Sequence, residues 1–217
     1  MQILKDEVKN KIIQSALAEF KEKGFEKASM RSIAEKANVT VGNVYRYFKS
    51  KEELFDSIIH PVFEKIIRLI HDNAPPIFHN NTQPLKDDKE FGRFIEYIPN
   101  SLVELYSQHK TELFILIDGS EGTKYEKGKE KIIQLIEEKI KNHLFPAVLR
   151  NGGKIEDPFI ATVLARSNME GIITIFRHPQ DIKNLKRMLL QFQYFFYRHA
   201  VERLSRTTLT MSPEGED

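Results

Sequence analysis

The chain has 217 residues, of which 41% are hydrophobic and 29% charged, and it has no cysteine. Such a chain can bury a core as one domain or two small ones; disulfides, thiol nucleophiles and cysteine-bound metals are excluded. The net charge of +2 hides an asymmetry, because residues 1–51 hold 11 Lys/Arg against 6 Asp/Glu and residues 52–217 hold 22 against 25. The basic first quarter suits a polyanion, although charge alone does not separate that role from ordinary surface lysine. No apolar run reaches the ~20 residues of a membrane helix, and the residues after Met1 lack a signal-like apolar core. With no thiol to oxidise, the expectation is a cytoplasmic protein without membrane contact.

Taken in order, nearly every stretch reads as helix. Val8, Ile12, Ile13, Ala16, Leu17 and Phe20 fall on one helical face, and Gly24 stands where a C-cap belongs. Ser29 caps a short second helix with Met30, Ile33, Ala34 and Ala37 facing inward. Asn38-Val39-Thr40 is a tight turn, and Thr40 caps a third helix bearing Val44, Tyr45 and Phe48. Ser50 with Glu53 has the spacing of a capping box and opens a fourth helix, in which Pro61 predicts a kink. Residues 73–88 read as loop. Further helices are expected over 89–107, 109–118 and 124–149, then from Asp157-Pro158 to Arg177. A last one runs from Pro179 to Arg206, ahead of a polar tail over 207–217 expected to be disordered.

The informative segment is Ser29 to Lys51, SMRSIAEKANVTVGNVYRYFKSK. Two short helices joined by a tight turn form a helix-turn-helix, the second helix entering the major groove while the first crosses the backbone. Ala34 and Ala37 are small where the helices cross, and Val39 fills the wedge. Once Val44, Tyr45 and Phe48 are assigned mainly to packing, Val41, Gly42, Asn43, Arg46 and Tyr47 remain to face DNA.

Ile33-Ala34, Ala37-Asn38-Val39, Gly42, Val44-Tyr45, Tyr47-Phe48, Lys51 and Leu54 together resemble the TetR family of bacterial transcriptional regulators. Phe20, Gly24 and Phe25 fit the first helix of that family, so the resemblance covers about residues 8–55. Asn38 stands where the family usually has glycine, a mild departure because asparagine tolerates a left-handed backbone. The resemblance implies an all-α fold: a three-helix DNA-binding domain over 1–52, and a helical effector-binding and dimerisation domain over 53–206.

By the same resemblance, Arg31 reaches a base edge or a phosphate, or else pairs with Glu35 on its own helix. Ser29 and Thr40 bind phosphates at helix starts, or serve as caps alone. Val41, Gly42 and Asn43 face base edges, Gly42 allowing close approach and Asn43 pairing with adenine. Tyr45 and Tyr47 offer hydroxyls to phosphates, and Lys51 clamps one. Arg46 contacts a phosphate or reads guanine.

The resemblance further implies a palindromic operator of double-stranded DNA bound by a homodimer, paired through the last two helices, whose apolar faces are wide. It implies a repressor released by an unknown small-molecule effector; Phe91, Tyr97, Phe114, Ile117 and Asn168 are the candidate effector-binding residues, with plain core packing as the competing role. A helix-turn-helix protein controlled by a protein partner, or without a ligand, is the alternative. No Ser/His/Asp order, phosphate loop or close histidine spacing points to an enzyme, a metal or a cofactor.

Overall fold

The computed structural model describes residues 2–72, 88–178 and 181–209, with side chains over 5–71, 96–178 and 181–206. The described residues are helical and contain no strand. Their contacts group into two units: residues 1–67 with 108–131, and residues 68–107 with 132–217. The expected domain boundary at residue 52 thus falls inside the first unit. The loop expected over 73–88 lies almost wholly outside the described residues.

In the first unit, α1 (Gln2–Lys27) buries Ile12, Ala16 and Phe20. Gly24 ends its regular path at φ 71°, ψ 173°, a left-handed φ that suits glycine, and the chain turns Phe25 into the core. Helix α2 (Met30–Lys36) begins where Ser29 Oγ accepts the Ser32 N–H at 3.1 Å. It ends in a Schellman pair, the Asn38 N–H donating to the Glu35 carbonyl and the Val39 N–H to that of Ala34. Asn38 takes φ 54° there, the left-handed conformation its sequence position called for. Helix α3 (Val41–Tyr47) is capped by Thr40, whose Oγ1 accepts the Asn43 N–H at 3.1 Å.

The Ser50 capping box is present. The Glu53 N–H donates to Ser50 Oγ, and Glu53 reaches back to the Lys49 N–H at 2.7 Å. It opens α4 (Lys51–Asp72), which continues as one helix through Pro61. Phe55 meets Phe20 and Phe25 edge-on, with the three ring centroids about 5–6 Å apart, and Tyr125 joins the cluster at Phe55 and Phe63.

Helix α5 (Asp88–Asp118) joins the two stretches expected as separate helices, and His109 marks their junction with non-helical dihedrals. Helix α6 (Gly128–Lys139) continues through a π-turn, Ile140–Leu144, into α7 (Phe145–Arg150). Pro146 accounts for the wide turn, since it has no N–H to return to the carbonyl four residues back.

In the second unit, α8 (Ile160–Arg177) and α9 (Ile182–Tyr197) pack together, burying Ala161, Ala165, Ile173, Leu185 and Leu189. The single last helix expected from Pro179 to Arg206 is two. Helix α9 starts at its cap Asp181 and stops at Tyr197, and α10 covers Ala200–Leu209. His199 takes φ 56° between them, and the Arg203 guanidinium donates to the carbonyls of Phe195 and Phe196, both at 3.0 Å. The freed end of α9 is satisfied by that arginine rather than by further helix. Residues 207–209, expected in the polar tail, are helical, because α10 reaches Leu209; residues 210–217 lie outside the described residues.

Candidate nucleic-acid interface

Two short helices hold their angle only if their backs are pinned. Ile33, Ala34, Ala37, Val44 and Phe48 are buried between α1, α2, α3 and α4, and Val39 is half-buried in the wedge. A polar pin adds to this packing. Glu19 on α1 is wholly buried, and its carboxylate accepts from Lys36 at 2.7 Å, Lys23 at 3.0 Å and Ser32 Oγ at 2.8 Å. Burial alone raises the carboxyl's pKa. The hydrogen bonds from Lys36, Lys23 and Ser32 outweigh burial and hold it at about 2. Two of those partners sit on α2, so a charged cluster ties α2 to α1.

On that scaffold the outer face of α3 is free of the core. Val41, Gly42, Tyr45 and Arg46 are exposed, and Asn43 and Tyr47 are half-buried. Tyr45, assigned mainly to packing from its spacing, is 48% exposed, which leaves its ring on the outer face. A Cβ built on Gly42 meets nothing within 4 Å. Glycine within a short helix costs stability relative to alanine, and the chain's own packing gives no reason for it.

Arg31 and Ser29 lie at the start of α2. The Arg31 guanidinium meets Glu35 at 3.2 Å, with its side chain 83% exposed. An exposed pair of this kind is worth little and yields to a stronger anion. The Ser29 and Thr40 hydroxyl oxygens both accept cap hydrogen bonds, and each hydroxyl proton remains to be given.

Lys51 departs from its expected place. Its ammonium donates to the carbonyls of Phe25 at 2.7 Å, Ala28 at 3.0 Å and Glu26 at 3.2 Å, and lies 4.3 Å from the Phe25 ring centroid. All three N–H donors are used inside the protein. Lys51 closes the C-terminal end of α1 and has no donor left for the phosphate clamp inferred from the sequence.

Sequence reasoning missed what supports this face from residues 108–131. The Phe25 N–H donates to the Gly119 carbonyl at 2.9 Å, and a Cβ on Gly119 would lie 3.5 Å from Gly24 Cα and 3.3 Å from the Ile115 carbonyl oxygen. Asp56 on α4 accepts from the Tyr125 hydroxyl and pairs with Lys124 at 2.7 Å. Burial, then this hydrogen bond to Asp56, pushes the Tyr125 hydroxyl well above its ordinary range. The paired glycines at 24 and 119 were a signal of close backbone approach, but nothing local joined them.

The candidate effector residues are drawn from both units. Tyr97 is exposed and Asn168 buried in the second unit, whereas Phe114 and Ile117 are half-buried in the first. The side chain of Phe91 lies outside the described residues. Among the described residues no group of histidine and carboxylate side chains is placed to hold a metal, and no helix is long and apolar enough to cross a membrane.

Residues 12–58 match the family model of bacterial regulatory proteins of the tetR family. The HTH-type transcriptional repressor KstR of Mycolicibacterium smegmatis is 42% identical over 60 residues, 28% of this chain and 29% of that protein. The HTH-type transcriptional repressor Rv3405c of Mycobacterium tuberculosis is 35% identical over 71 residues, 33% of this chain and 38% of that one. The chain therefore matches well under half the length of these relatives. A solved transcriptional regulator of Aquifex aeolicus, described as TerR/AcrR family, has the same fold: it covers 88% of this chain and 99% of its own, at 20% identity and TM-score 0.57. Residues 12–58 thus carry the DNA-binding helix-turn-helix of the tetR family of bacterial regulatory proteins, in a chain whose helical fold is similar to that of a solved transcriptional regulator.

Proposed function

We propose that the protein is a repressor that binds a palindromic operator as a homodimer and is released by a small-molecule effector. The observation that carries the DNA-reading part is the outer face of α3. It presents Val41, Asn43, Arg46 and Tyr47 around a glycine whose missing side chain nothing in the protein requires. Val41 and Asn43 meet base edges beside Gly42, and Asn43 suits adenine. Ser29, Thr40, Tyr45 and Tyr47 hydrogen-bond phosphates, Arg31 leaves Glu35 for the DNA, and Arg46 adds a cationic contact beside them.

One recognition helix is too little for specificity. Each base contact contributes ~1–3 kcal/mol, whereas specific sites exceed non-specific DNA by ~4–10 kcal/mol. Two-fold pairing doubles the reader. Support for pairing through α8 and α9 comes from the apolar side chains they leave uncovered, Phe159 just before α8, Val163, Ile182, Tyr194 and Phe195. An effector that favours a different spacing of the two recognition helices then lowers operator affinity, and the operator lowers effector affinity by the same factor.

The test is operator binding by gel shift on DNA selected from random sequence by the full-length chain. Asn43→Ala and Tyr47→Ala are expected to lose the specific complex while keeping the wild-type circular dichroism. Unaltered affinity in both variants refutes the assignment.

A further inference from the structure

Asn168 on α8 is 3% exposed and Gln193 on α9 is 2% exposed. Asn168 Nδ2 and Gln193 Oε1 are both buried without a hydrogen-bond partner. Natural cores pair such groups or replace them with apolar ones, because an unpaired buried amide pays its full desolvation. They stand on the two helices of one packed pair. Helices α8 and α9 approach so closely at Gly171 that a methyl there would lie 2.2 Å from Phe192 Cζ. Asn168 is one turn before Gly171, and Gln193 follows Phe192 directly. One orphan is a donor and the other an acceptor, yet they do not satisfy each other.

The surroundings restrict what a third body can be. The other buried polar side chain among the described residues of this unit is Ser205, whose hydroxyl donates to the Val201 carbonyl at 2.8 Å. No carboxylate, lysine, arginine or histidine is buried among the described residues of the unit. One turn beyond Gln193, burial pushes the Tyr197 hydroxyl up to about 12, so it stays neutral. A charged ligand buried here meets no buried counter-charge among the described residues, which is costly in an apolar interior. One turn from each amide the helices carry Ala165, Ile172, Leu189 and Phe196, all apolar.

We propose that Asn168 and Gln193 form a neutral clamp for the effector, with Asn168 Nδ2 donating to it and Gln193 Oε1 accepting from it. The ligand is an uncharged, largely apolar molecule that carries a hydroxyl or a carboxamide. Either group supplies an acceptor and a donor together; a carboxylate has no proton to give and an ammonium has no lone pair. The proposal rests on the effector-controlled reading above and names the chemistry of that effector.

The experiment uses the purified full-length chain without DNA. Denaturant unfolding of Asn168→Leu, Gln193→Leu and the double variant forms a mutant cycle. Two orphan amides predict single variants as stable as wild type or more so, with additive effects. Single variants that destabilise while the double recovers show that the amides bond each other or share a water, and that overturns the proposal.

Calorimetry then follows 1-octanol, octanamide, octanoate and octylammonium. Octanol or octanamide is expected to bind at least tenfold more tightly than either ion, and each leucine variant to weaken that binding at least tenfold. Equal binding of an ion, unchanged binding in both variants, or binding of none of the four overturns it. Because no DNA is present, such a failure leaves operator binding untouched. Conversely, a chain that holds octanol through both amides but selects no operator refutes the regulator reading alone.

Discussion

The Lys51 ammonium lies against Phe25 twice, 2.7 Å from its carbonyl oxygen and 4.3 Å from the centre of its ring. With the carbonyls of Glu26 and Ala28 also bound, this lysine at the start of α4 holds the end of α1 and the approach to α2. Its influence on DNA therefore runs through the placement of the helices. Charge-assisted hydrogen bonds of this type contribute about 1.5–3 kcal/mol each at most. Lys51→Met is expected to lose about 2–4 kcal/mol of unfolding free energy in urea, within the range for breaking a buried network. The salt dependence of operator binding distinguishes the two roles. A positioning lysine leaves the slope of log K against log salt unchanged, whereas a lost phosphate contact lowers it by about 1.

Gly42 separates stability from recognition. Since a Cβ there touches nothing in the protein, Gly42→Ala is expected to stabilise the chain by up to about 1 kcal/mol through helix propensity. On the proposed DNA-reading face the same methyl would meet the groove floor, and it is expected to weaken operator binding tenfold or more. Thermal unfolding and gel shift on one preparation measure both signs; a stabilised variant with full operator affinity removes Gly42 from the contact face.

The Glu19 cluster sets an acid limit. Its carboxyl is held at about 2 in the folded chain against an ordinary 4.5. The unfolded chain therefore binds the proton first, and the stability from this group is complete above about pH 5 and lost as pH falls toward 2. The gap corresponds to about 3 kcal/mol. Asp56, Glu22, Glu52 and Glu137 are also held low and act in the same direction, so the comparison with Glu19→Gln isolates the one group. Urea unfolding at pH 6, 4 and 3 is expected to show the variant less stable at pH 6 and its deficit shrinking at pH 3.

Phe159 and Phe195, 63% and 72% exposed in the single chain, test the pairing. Phe159→Glu with Phe195→Glu removes no core packing and is expected to leave the helical spectrum intact. Sedimentation is expected to shift from dimer to monomer, with operator affinity falling at least a hundredfold. A variant that still sediments as a dimer moves the interface elsewhere.

The local chemistry of the reader was legible in the chain. Caps at Ser29, Thr40 and Ser50 depend on residues three apart, and Asn38 signals a left-handed turn by its own side chain. The packing residues Ile33, Ala34, Val44 and Phe48 follow helical spacing. What was hidden depends on partners far along the chain. Lys51 has the same appearance in sequence whether its ammonium faces a phosphate or three carbonyls, and those carbonyls become neighbours only after α1 has docked on α4. Glu19 showed as a carboxylate beside Ala16 and Phe20, but Ser32 and Lys36 had to arrive from another helix to explain it. The break at His199 was hidden because what supports it lies further on: the arginine that satisfies the end of α9 comes four residues after it. Aromatic side chains at helical spacing likewise do not declare which unit they will join.

The seam between Phe25 and Gly119 has a consequence for synthesis. The reader unit is built from residues 1–67 and 108–131, so a nascent chain stalled anywhere before residue 119 lacks the carbonyl that receives the Phe25 N–H, and Tyr125 is missing beside Phe55. The first three helices emerge early, but their full support reaches them only after about forty intervening residues have passed. Domains generally fold in the order in which they leave the ribosome. Here the part that would recognise DNA is completed only after residues 68–107 of the second unit have been made, and before residues 132–217.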